Sequence, residues 1–269
     1  MKKLLTISLL LSLSFTTIFA GCFGTKNTVH VGASAKPHAQ ILEFIKEDYE
    51  ALGYKLEIHV YTDYVMPNKS LASKDLDANY FQHLPYLNEY NKQFSTNLIS
   101  ACAVHYEPMG IFGKNVSDIN SVPNNVPVII PADSSNQARA LLLLAEYGLI
   151  TLKTGVESTK VSILDVENSF SRNLVAVEPA TIPAQLNNAD SGAIAVINGN
   201  YALASGLSLE DALATENEES AGTKAYANIL AINQGDENRE EIKALITLLT
   251  SDKVKEYITQ TFNGAVLPV

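Results

Sequence analysis

Residues 29–60 read VHVGASAKPHAQILEFIKEDYEALGYKLEIHV, and this stretch indicates the class of fold. Val29–Gly32 is a short apolar strand that ends in glycine, and Leu56–Val60 alternates apolar and polar residues as a second strand does. Between them, residues 39–52 place apolar side chains on one helical face, and Gly53 ends the predicted helix. The order strand, helix, strand predicts an α/β unit.

The same alternation returns after a polar, loop-rich stretch from Lys114 to Pro127. A strand at 128–130 and a loop at 133–136 precede a helix that runs to about Tyr147. Further predicted elements are the strands Ala193–Ile197 and Asn228–Ile232, and one or two closing helices within Ile242–Thr261. Two such sets predict two similar α/β lobes with mainly parallel sheets.

The composition excludes several classes of protein. The 269 residues are 46% hydrophobic and 18% charged, which is typical of a folded chain and not of a disordered tail. A formal net charge of −10 argues against nucleic acid as a partner. Two cysteines are too few for a disulfide scaffold. The most acidic stretch, Glu210–Glu219, is expected to be solvated surface.

The N-terminus predicts export and lipid anchoring. A basic start and a short apolar run are followed by the small residues Ala20-Gly21 and then by Cys22. This pattern resembles a bacterial lipobox, so we expect residues 1–21 to be a signal peptide and Cys22 to carry the lipid. Residues 22–28 are then the anchor and linker. The alternative is a soluble secreted protein in which Cys22 is incidental.

Motifs of the common enzyme classes are absent from the sequence. No G-x-x-x-x-G-K-[ST], G-x-G-x-x-G or G-x-S-x-G pattern occurs, so we expect neither an enzyme nor a bound cofactor. The histidines are scattered without the spacing of a metal site, and we therefore expect no metal: His30, His38, His59, His83 and His105. A metal receptor that uses dispersed histidines is the alternative.

Candidate binding residues lie in four segments that combine aromatic, amide and single charged side chains. They are expected to be loops at strand ends, where ligands bind in open α/β sheets: Thr62–Asn68, Asp77–Tyr86, Asp133–Arg139 and Ile197–Tyr201. Taken one at a time, these residues are equally compatible with core packing, turns or a structural histidine. The pattern alone therefore predicts an exported two-lobed binding protein but does not identify its ligand.

Arg139 is the most informative single residue of these segments. Ser134–Gln137 has the S-x-x-Q form of a capping box, which predicts that a helix starts at Ser134 and that Arg139 lies near its first turn. A cation is unfavourable at that end of a helix unless it binds an anion, and a guanidinium grips a carboxylate in two places. The alternative is a surface arginine paired with Asp133 or Glu146.

Seven stretches resemble the NlpA/MetQ family of lipoproteins, the methionine-binding subunits of bacterial ABC importers. They follow the family order from about residue 29 to the end: Val31–Ala39, Thr62–Asn68, Asp77–His83, Ala103–Gly110, Arg139–Leu144, Ala195–Leu203 and Gly264–Pro268. The resemblance implies a two-lobed type-II periplasmic-binding fold that closes around a free amino acid in the cleft between the lobes. Lobe 1 would comprise residues 29–110 and 199–269, and lobe 2 residues 111–198.

The resemblance also implies a ligand-binding set: Tyr64, Phe81, His83, Tyr86, Arg139, Asn198 and Asn228. Arg139 would hold the α-carboxylate of methionine, while Asn198 and Asn228 would offer amide oxygens to its ammonium group. The aromatic residues would surround the thioether, which gains sulfur–aromatic contacts. The chain departs from the family at Ala132, where Asn is common, and at Ser134, where Pro is common.

The implied partners are the permease and ATPase of an ABC importer. We expect a monomer that is anchored by lipid at the extracytoplasmic face of the cell membrane. L-methionine, D-methionine and methionine-containing dipeptides all remain open as ligands. The alternatives are a surface lipoprotein with an adhesion or antigen role, a receptor for another amino acid, and an enzyme on the same fold.

Overall fold

The computed structural model describes residues 28–167, 173–217 and 223–269. The predicted signal peptide, Cys22 and almost all of the linker lie outside these residues. Within the described ranges, no helix is both long enough and apolar enough to cross a membrane.

Thirteen strands build three sheets within the described residues. In chain order they are β1 (Thr28–Ser34), β2 (Lys55–Tyr61), β3 (Ala78–His83), β4 (Leu98–Tyr106), β5 (Gly110–Gly113), β6 (Pro127–Pro131), β7 (Thr151–Leu152), β8 (Val166–Glu167), β9 (Asn173–Val177), β10 (Ile194–Ile197), β11 (Ala214–Thr215), β12 (Asn228–Asn233) and β13 (Leu267–Pro268). The large sheets have six and five strands, in the orders β13-β4-β12-β3-β1-β2 and β11-β5-β10-β6-β9. A small sheet pairs β7 with β8.

The helices cover both large sheets. They are α1 (Gln40–Ala51), α2 (Met66–Ala72), α3 (Leu84–Phe94), α4 (Ser134–Glu146), α5 (Ile182–Asn188), α6 (Gly199–Ala204), α7 (Glu240–Leu249) and α8 (Asp252–Phe262). The six-stranded sheet packs one face on α1, α7 and α8 and the other on α2 and α3. The five-stranded sheet packs between α4 on one side and α5 and α6 on the other. Each sheet thus has its own apolar core on both faces.

The sheets are mixed, and the prediction of mainly parallel sheets is wrong. The parallel pairs are β2–β1–β3 in the larger sheet and β10–β6–β9 in the smaller one. Strand β12 returns to the larger sheet between β3 and β4, and it is antiparallel to both. Strand β5 is likewise antiparallel to β10. Apolar strand patterns give no strand direction, so the chain's return between sheets could not be deduced from them.

The segment Asp77–Tyr86 is not a loop, contrary to prediction. Residues 78–83 form the fully buried strand β3, and α3 follows directly. Its amides are satisfied inside the protein, because Asn68 and Gln82 exchange reciprocal side-chain hydrogen bonds of 2.8 and 2.7 Å, and Asn79 donates to Asn68 at 2.8 Å. A buried polar residue that finds partners in this way carries no solvation penalty, so the strand tolerates it.

Three further expectations can be compared with the structure. The region Ile242–Thr261 holds two helices, α7 and α8. Helix α4 starts at Ser134 as predicted, but its cap is the carboxylate of Asp133, which accepts the Asn136 N–H at 2.9 Å. Strand β11 pairs with β5 of the smaller sheet although it lies in the range predicted for lobe 1. The lobe boundaries themselves stay a prediction.

Candidate functional site

One cleft between the two large sheets gathers every residue of the predicted ligand-binding set. It contains about 330 Å³ of space that protein atoms do not fill, and this figure includes open solvent. Its lining comprises Tyr64, Phe81, Gln82, His83, Tyr86, Glu107, Asn136, Arg139, Asn198, Gly199, Asn200 and Asn228. These residues come from the loop after β2, from the carboxyl ends of β3, β4 and β10, from α3 and α4, and from the starts of α6 and β12.

His83 links the two sides of the cleft as a neutral imidazole. Its Nδ1 accepts the Tyr86 backbone N–H at 3.2 Å, which caps α3. Because Nδ1 accepts, Nε2 carries the proton and donates it to the Asn136 Oδ1 at 3.2 Å. Burial, followed by the positive charge of Arg139, lowers the pKa of His83 to about 3. The side chain therefore acts as a fixed hydrogen-bond donor at neutral pH.

Asn198 presents an unsatisfied acceptor within the cleft. Its Nδ2 donates to Asn136 Oδ1 at 2.6 Å, so the Asn198 amide is held by the same oxygen that His83 uses. The other atom of the amide, Oδ1, is buried and has no hydrogen-bond partner among the described residues. A buried carbonyl oxygen without a donor costs about 1–3 kcal/mol, and a ligand N–H would remove that cost.

The Asn228 side chain is hydrogen-bonded to a buried histidine. His38 Nε2 lies 3.0 Å from Asn228 Oδ1 and 3.4 Å from Glu107 Oε1. A nitrogen that faces a carboxylate oxygen carries the proton, so His38 donates and the Asn228 oxygen accepts. That oxygen thus accepts one hydrogen bond from the protein, and its second lone pair leaves the role towards a ligand ammonium as a prediction.

Arg139 is buried and pairs with Glu216. Its Nε donates to Glu216 Oε1 at 2.6 Å, and Nη2 donates to Oε2 at 2.5 Å and to the Glu107 carbonyl at 2.6 Å. Although burial disfavours the guanidinium, Glu216 raises the pKa of Arg139. Burial likewise opposes the Glu216 carboxylate, but Arg139 holds the pKa of that group below its ordinary value. The pair stays charged.

Two expectations about this pair need correction. The suggested alternative partners of Arg139 were Asp133 and Glu146, and the observed partner is Glu216. The acidic stretch Glu210–Glu219 is not uniformly solvated, because the Glu216 side chain is only 14% exposed. Its Oε2 also accepts from the Tyr106 hydroxyl at 2.6 Å and from the Met109 N–H at 2.8 Å.

Aromatic rings form one wall of the cleft. The Tyr64 ring centroid lies 5.8 Å from that of Phe81 and 5.7 Å from that of Tyr86, and these two rings are 6.1 Å apart. Two hydroxyl groups fix the cluster, since Tyr64 donates to Asn200 Oδ1 at 2.5 Å and Tyr86 donates to the Tyr64 carbonyl at 3.0 Å. Tyr64 and Phe81 are buried, Tyr86 is half-buried, and both tyrosine hydroxyls are satisfied, which leaves apolar ring surface for a ligand.

A buried polar cluster supports the floor of the cleft. Glu107 Oε1 lies 2.7 Å from His105 Nε2, whose other ring nitrogen bonds the Tyr80 hydroxyl. Burial lowers the pKa of His38 to about 4 and that of His105 to about 3, and burial raises the pKa of Glu107. Gly199 packs so closely on Glu107 that a Cβ there would lie 2.7 Å from the Glu107 Cβ.

Sequence reasoning missed five lining residues and Glu216. The five are Gln82, Glu107, Asn136, Gly199 and Asn200. All five lie inside stretches that carry the family resemblance or that were named as candidate binding segments. Their nearness in sequence to the predicted binding residues could therefore have identified them. Glu216 had no such signal, because 77 residues separate it from Arg139 and its neighbours are acidic.

Comparison with known proteins identifies a family and several relatives that this chain resembles. The NlpA lipoprotein family model matches residues 29–269. The methionine-binding lipoprotein MetQ of Bacillus subtilis is 37% identical over 278 residues, covering 100% of this chain and 99% of the relative. The D-methionine-binding lipoprotein MetQ of Salmonella typhi is 32% identical over 243 residues, covering 90% and 88% respectively.

A solved structure supports the same relationship. A nutrient binding protein from Burkholderia cenocepacia bound to methionine is 34% identical, with a TM-score of 0.82 over 89% of this chain and 99% of that one. The predicted two-lobed type-II periplasmic-binding fold is thereby confirmed. With the family model matching from β1 to the last residue, this chain belongs to the NlpA lipoprotein family.

Proposed function

We propose that this protein binds free methionine in the cleft and delivers it to an ABC importer. The observation that carries the proposal is the convergence of a cation, an unsatisfied amide oxygen and an aromatic wall in one cleft. These three features match the carboxylate, the ammonium and the side chain of an apolar amino acid. The Burkholderia cenocepacia relative bound to methionine supports the choice of ligand.

The carboxylate end of the ligand would lie against Arg139. The bonds from Arg139 to Glu216 and to the Glu107 carbonyl use Nε and Nη2, and none of them uses Nη1. A carboxylate would take Nη1 as a donor together with the amide nitrogen of Asn228. Charge-assisted bonds of this kind are about twice as strong as neutral ones.

The ammonium end would lie against Asn198 and Glu107. Asn198 Oδ1 is an acceptor without a partner among the described residues, and an ammonium has three donors to offer. Glu107 lines the same cleft, and its raised pKa shows that burial disfavours its charge. An ammonium would stabilise the Glu107 carboxylate, and the carboxylate would in turn disfavour ligands that lack a positive charge.

The ligand side chain would fill the slot between Tyr64, Phe81 and Tyr86. A thioether is polarizable and gains about 0.3–1.5 kcal/mol from each contact with an aromatic ring. The hydroxyl groups of Tyr64 and Tyr86 are bonded within the protein, so a polar side chain would find no free partner on them. This wall therefore favours an apolar side chain of moderate length.

The anchor and the partners follow from family membership. The family is one of lipoproteins, and Cys22 is the residue we propose to carry the lipid, at the extracytoplasmic face of the membrane. The permease and ATPase of an ABC importer are the proposed partners, with a monomer as the form that meets them. Adhesion or an antigen role would be additional to this activity.

Competition between free amino acids tests the ligand class. One methylene in an apolar slot is worth about 1–3 kcal/mol of binding free energy. Norleucine should therefore displace bound methionine at concentrations no more than a few powers of ten above those at which methionine itself competes. Glutamate and lysine should not compete, because each would bury an unpaired charge. If either competes as well as norleucine, the apolar slot is assigned wrongly and another amino acid is the ligand. L- and D-methionine are compared in the same series.

A further inference from the structure

A second cluster of ligating side chains lies outside the cleft, on the edge strand β2 of the six-stranded sheet and its neighbour β1. It comprises His30 on β1 and Glu57 and His59 on β2, and the ligating atoms of all three lie within 4.8 Å of one another. The linear sequence hides this group, because 29 residues separate the two histidines. The expectation of no metal site rested on linear spacing alone.

The strand register places the three side chains on one face. His30 is the parallel partner of Glu57, and Gly32 is the partner of His59. Side chains two residues apart on a strand share a face, so Glu57 and His59 point the same way as His30. Gly32 has no side chain to stand between His30 and His59. Three potential ligands therefore project together from regular strands.

The distances fit a tetrahedral zinc ion. His30 Nδ1 lies 3.0 Å from His59 Nε2 and 3.3 Å from Glu57 Oε2. Zn–N bonds of about 2.0–2.1 Å at a tetrahedral angle place two ligand atoms about 3.3–3.4 Å apart. The observed separations differ from this by a few tenths of an ångström, which side-chain rotation can supply.

The surroundings hold these ligands in place. Asp77 accepts the His30 backbone N–H at 2.8 Å and donates its own N–H to the His30 carbonyl at 2.9 Å. Asp77 is itself bound by Arg239 at 2.7 Å. Lys55 binds Oε1 of Glu57 at 2.5 Å, which leaves Oε2 towards His30. The Asp77 contacts fix the backbone at His30, and the Lys55 contact orients the Glu57 carboxylate.

We propose that His30, Glu57 and His59 form a zinc-binding site on the neighbouring parallel strands β1 and β2. Two imidazoles and one carboxylate are ligands that zinc prefers, and three protein ligands leave the fourth position to water. The site is reachable, because the His30 and Glu57 side chains are each 38% exposed. It lies at the opposite end of β3 from the cleft, since Val31 pairs with Ala78 whereas the cleft begins at Phe81.

The buried group of His38, His105 and Glu107 is a poorer candidate for the same ion. Both histidines direct Nε2 at the single oxygen Oε1 of Glu107, and all three residues are buried. A metal would have to break those hydrogen bonds and enter a closed interior. The cluster on β1 and β2 is open to solvent, and a metal there would replace only the surface contact between His30 Nδ1 and His59 Nε2.

Calorimetric titration of the untagged protein with zinc chloride tests the proposal. We expect one zinc per chain, no heat with magnesium chloride, and affinity at least about 10-fold weaker in each of His30→Gln, His59→Gln and Glu57→Gln. Glu47→Gln, which removes an exposed charge on α1, is the matched control and should bind zinc like the wild type. Thermal unfolding of every variant confirms that it is folded. The proposal is overturned if the wild type takes up no zinc, or if the double variant His30→Gln/His59→Gln binds it undiminished.

Discussion

Arg139 has two roles in this account, and a pair of variants separates them. Its guanidinium neutralises the buried Glu216 through bonds of 2.6 and 2.5 Å, and it is the proposed anchor of the ligand carboxylate. Arg139→Ala removes both functions at once. Breaking a buried ion pair on one side costs about 3–5 kcal/mol of folding stability, because the remaining charge has no partner.

The double variant Arg139→Met/Glu216→Gln removes the buried charges together. Replacing both members of such a pair is often neutral, so most of the lost stability should return. The glutamine amide would keep an oxygen for the Tyr106 hydroxyl and the Met109 N–H, which now bond the Glu216 carboxylate at 2.6 and 2.8 Å.

The double variant should regain folding stability but not its affinity for methionine. The carboxylate of the ligand would be buried without a cation, at a cost of about 2–5 kcal/mol, which is roughly a 30-fold loss or more. Urea unfolding measures the stability of the three proteins, and calorimetry measures their affinity for methionine. A stable double variant that binds methionine like the wild type would refute the assignment of Arg139 to the carboxylate.

Three other predictions concern the cleft, the buried histidines and the anchor. Asn198→Ala should weaken methionine binding about 10-fold or more through loss of a charge-assisted hydrogen bond, and unchanged affinity in calorimetry would contradict its role. The three buried histidines have pKa values of about 3–4, so the unfolded chain binds protons first as pH falls below 6.5, and the native state loses stability towards pH 4. At pH 5 each histidine contributes a loss of roughly 2 kcal/mol, offset in part by Glu107 and Asp133, whose pKa values burial raises. Urea midpoints at pH 7 and pH 5 measure the difference, and an equal or higher midpoint at pH 5 would contradict it. Wild type expressed in a lipid-attaching host should enter the detergent phase and Cys22→Ser should not; wild type in the aqueous phase would refute the lipobox.

The fold class could be predicted because α/β periodicity is local. The strand and helix patterns at 29–60 and 128–147 report directly on which face of each element is buried. Strand direction and sheet order are not local, and β12, inserted antiparallel between β3 and β4, had no signal in its own residues. The buried amides of β3 misled for a related reason: Asn79 and Gln82 look like loop residues until their partner Asn68 is known.

Residues of the candidate site could be predicted from the sequence, but the hydrogen bonds and ion pairs between them could not. Family resemblance marked seven of the twelve residues that line the cleft. It did not show that His38 forms a hydrogen bond with the oxygen of Asn228. The pairing of Arg139 with Glu216 and the meeting of His30 with His59 were also hidden, since both depend on contacts between residues distant in the chain.

Ligand binding by the purified protein is the most direct test of the central claim. The protein is unfolded in urea, dialysed to remove any bound ligand, refolded, and titrated with methionine in a calorimeter. We expect saturable heat with one methionine per chain, and mass spectrometry of ligand released from the untreated protein should find methionine. A refolded protein that gives no heat with either stereoisomer of methionine, yet binds another amino acid, would contradict it.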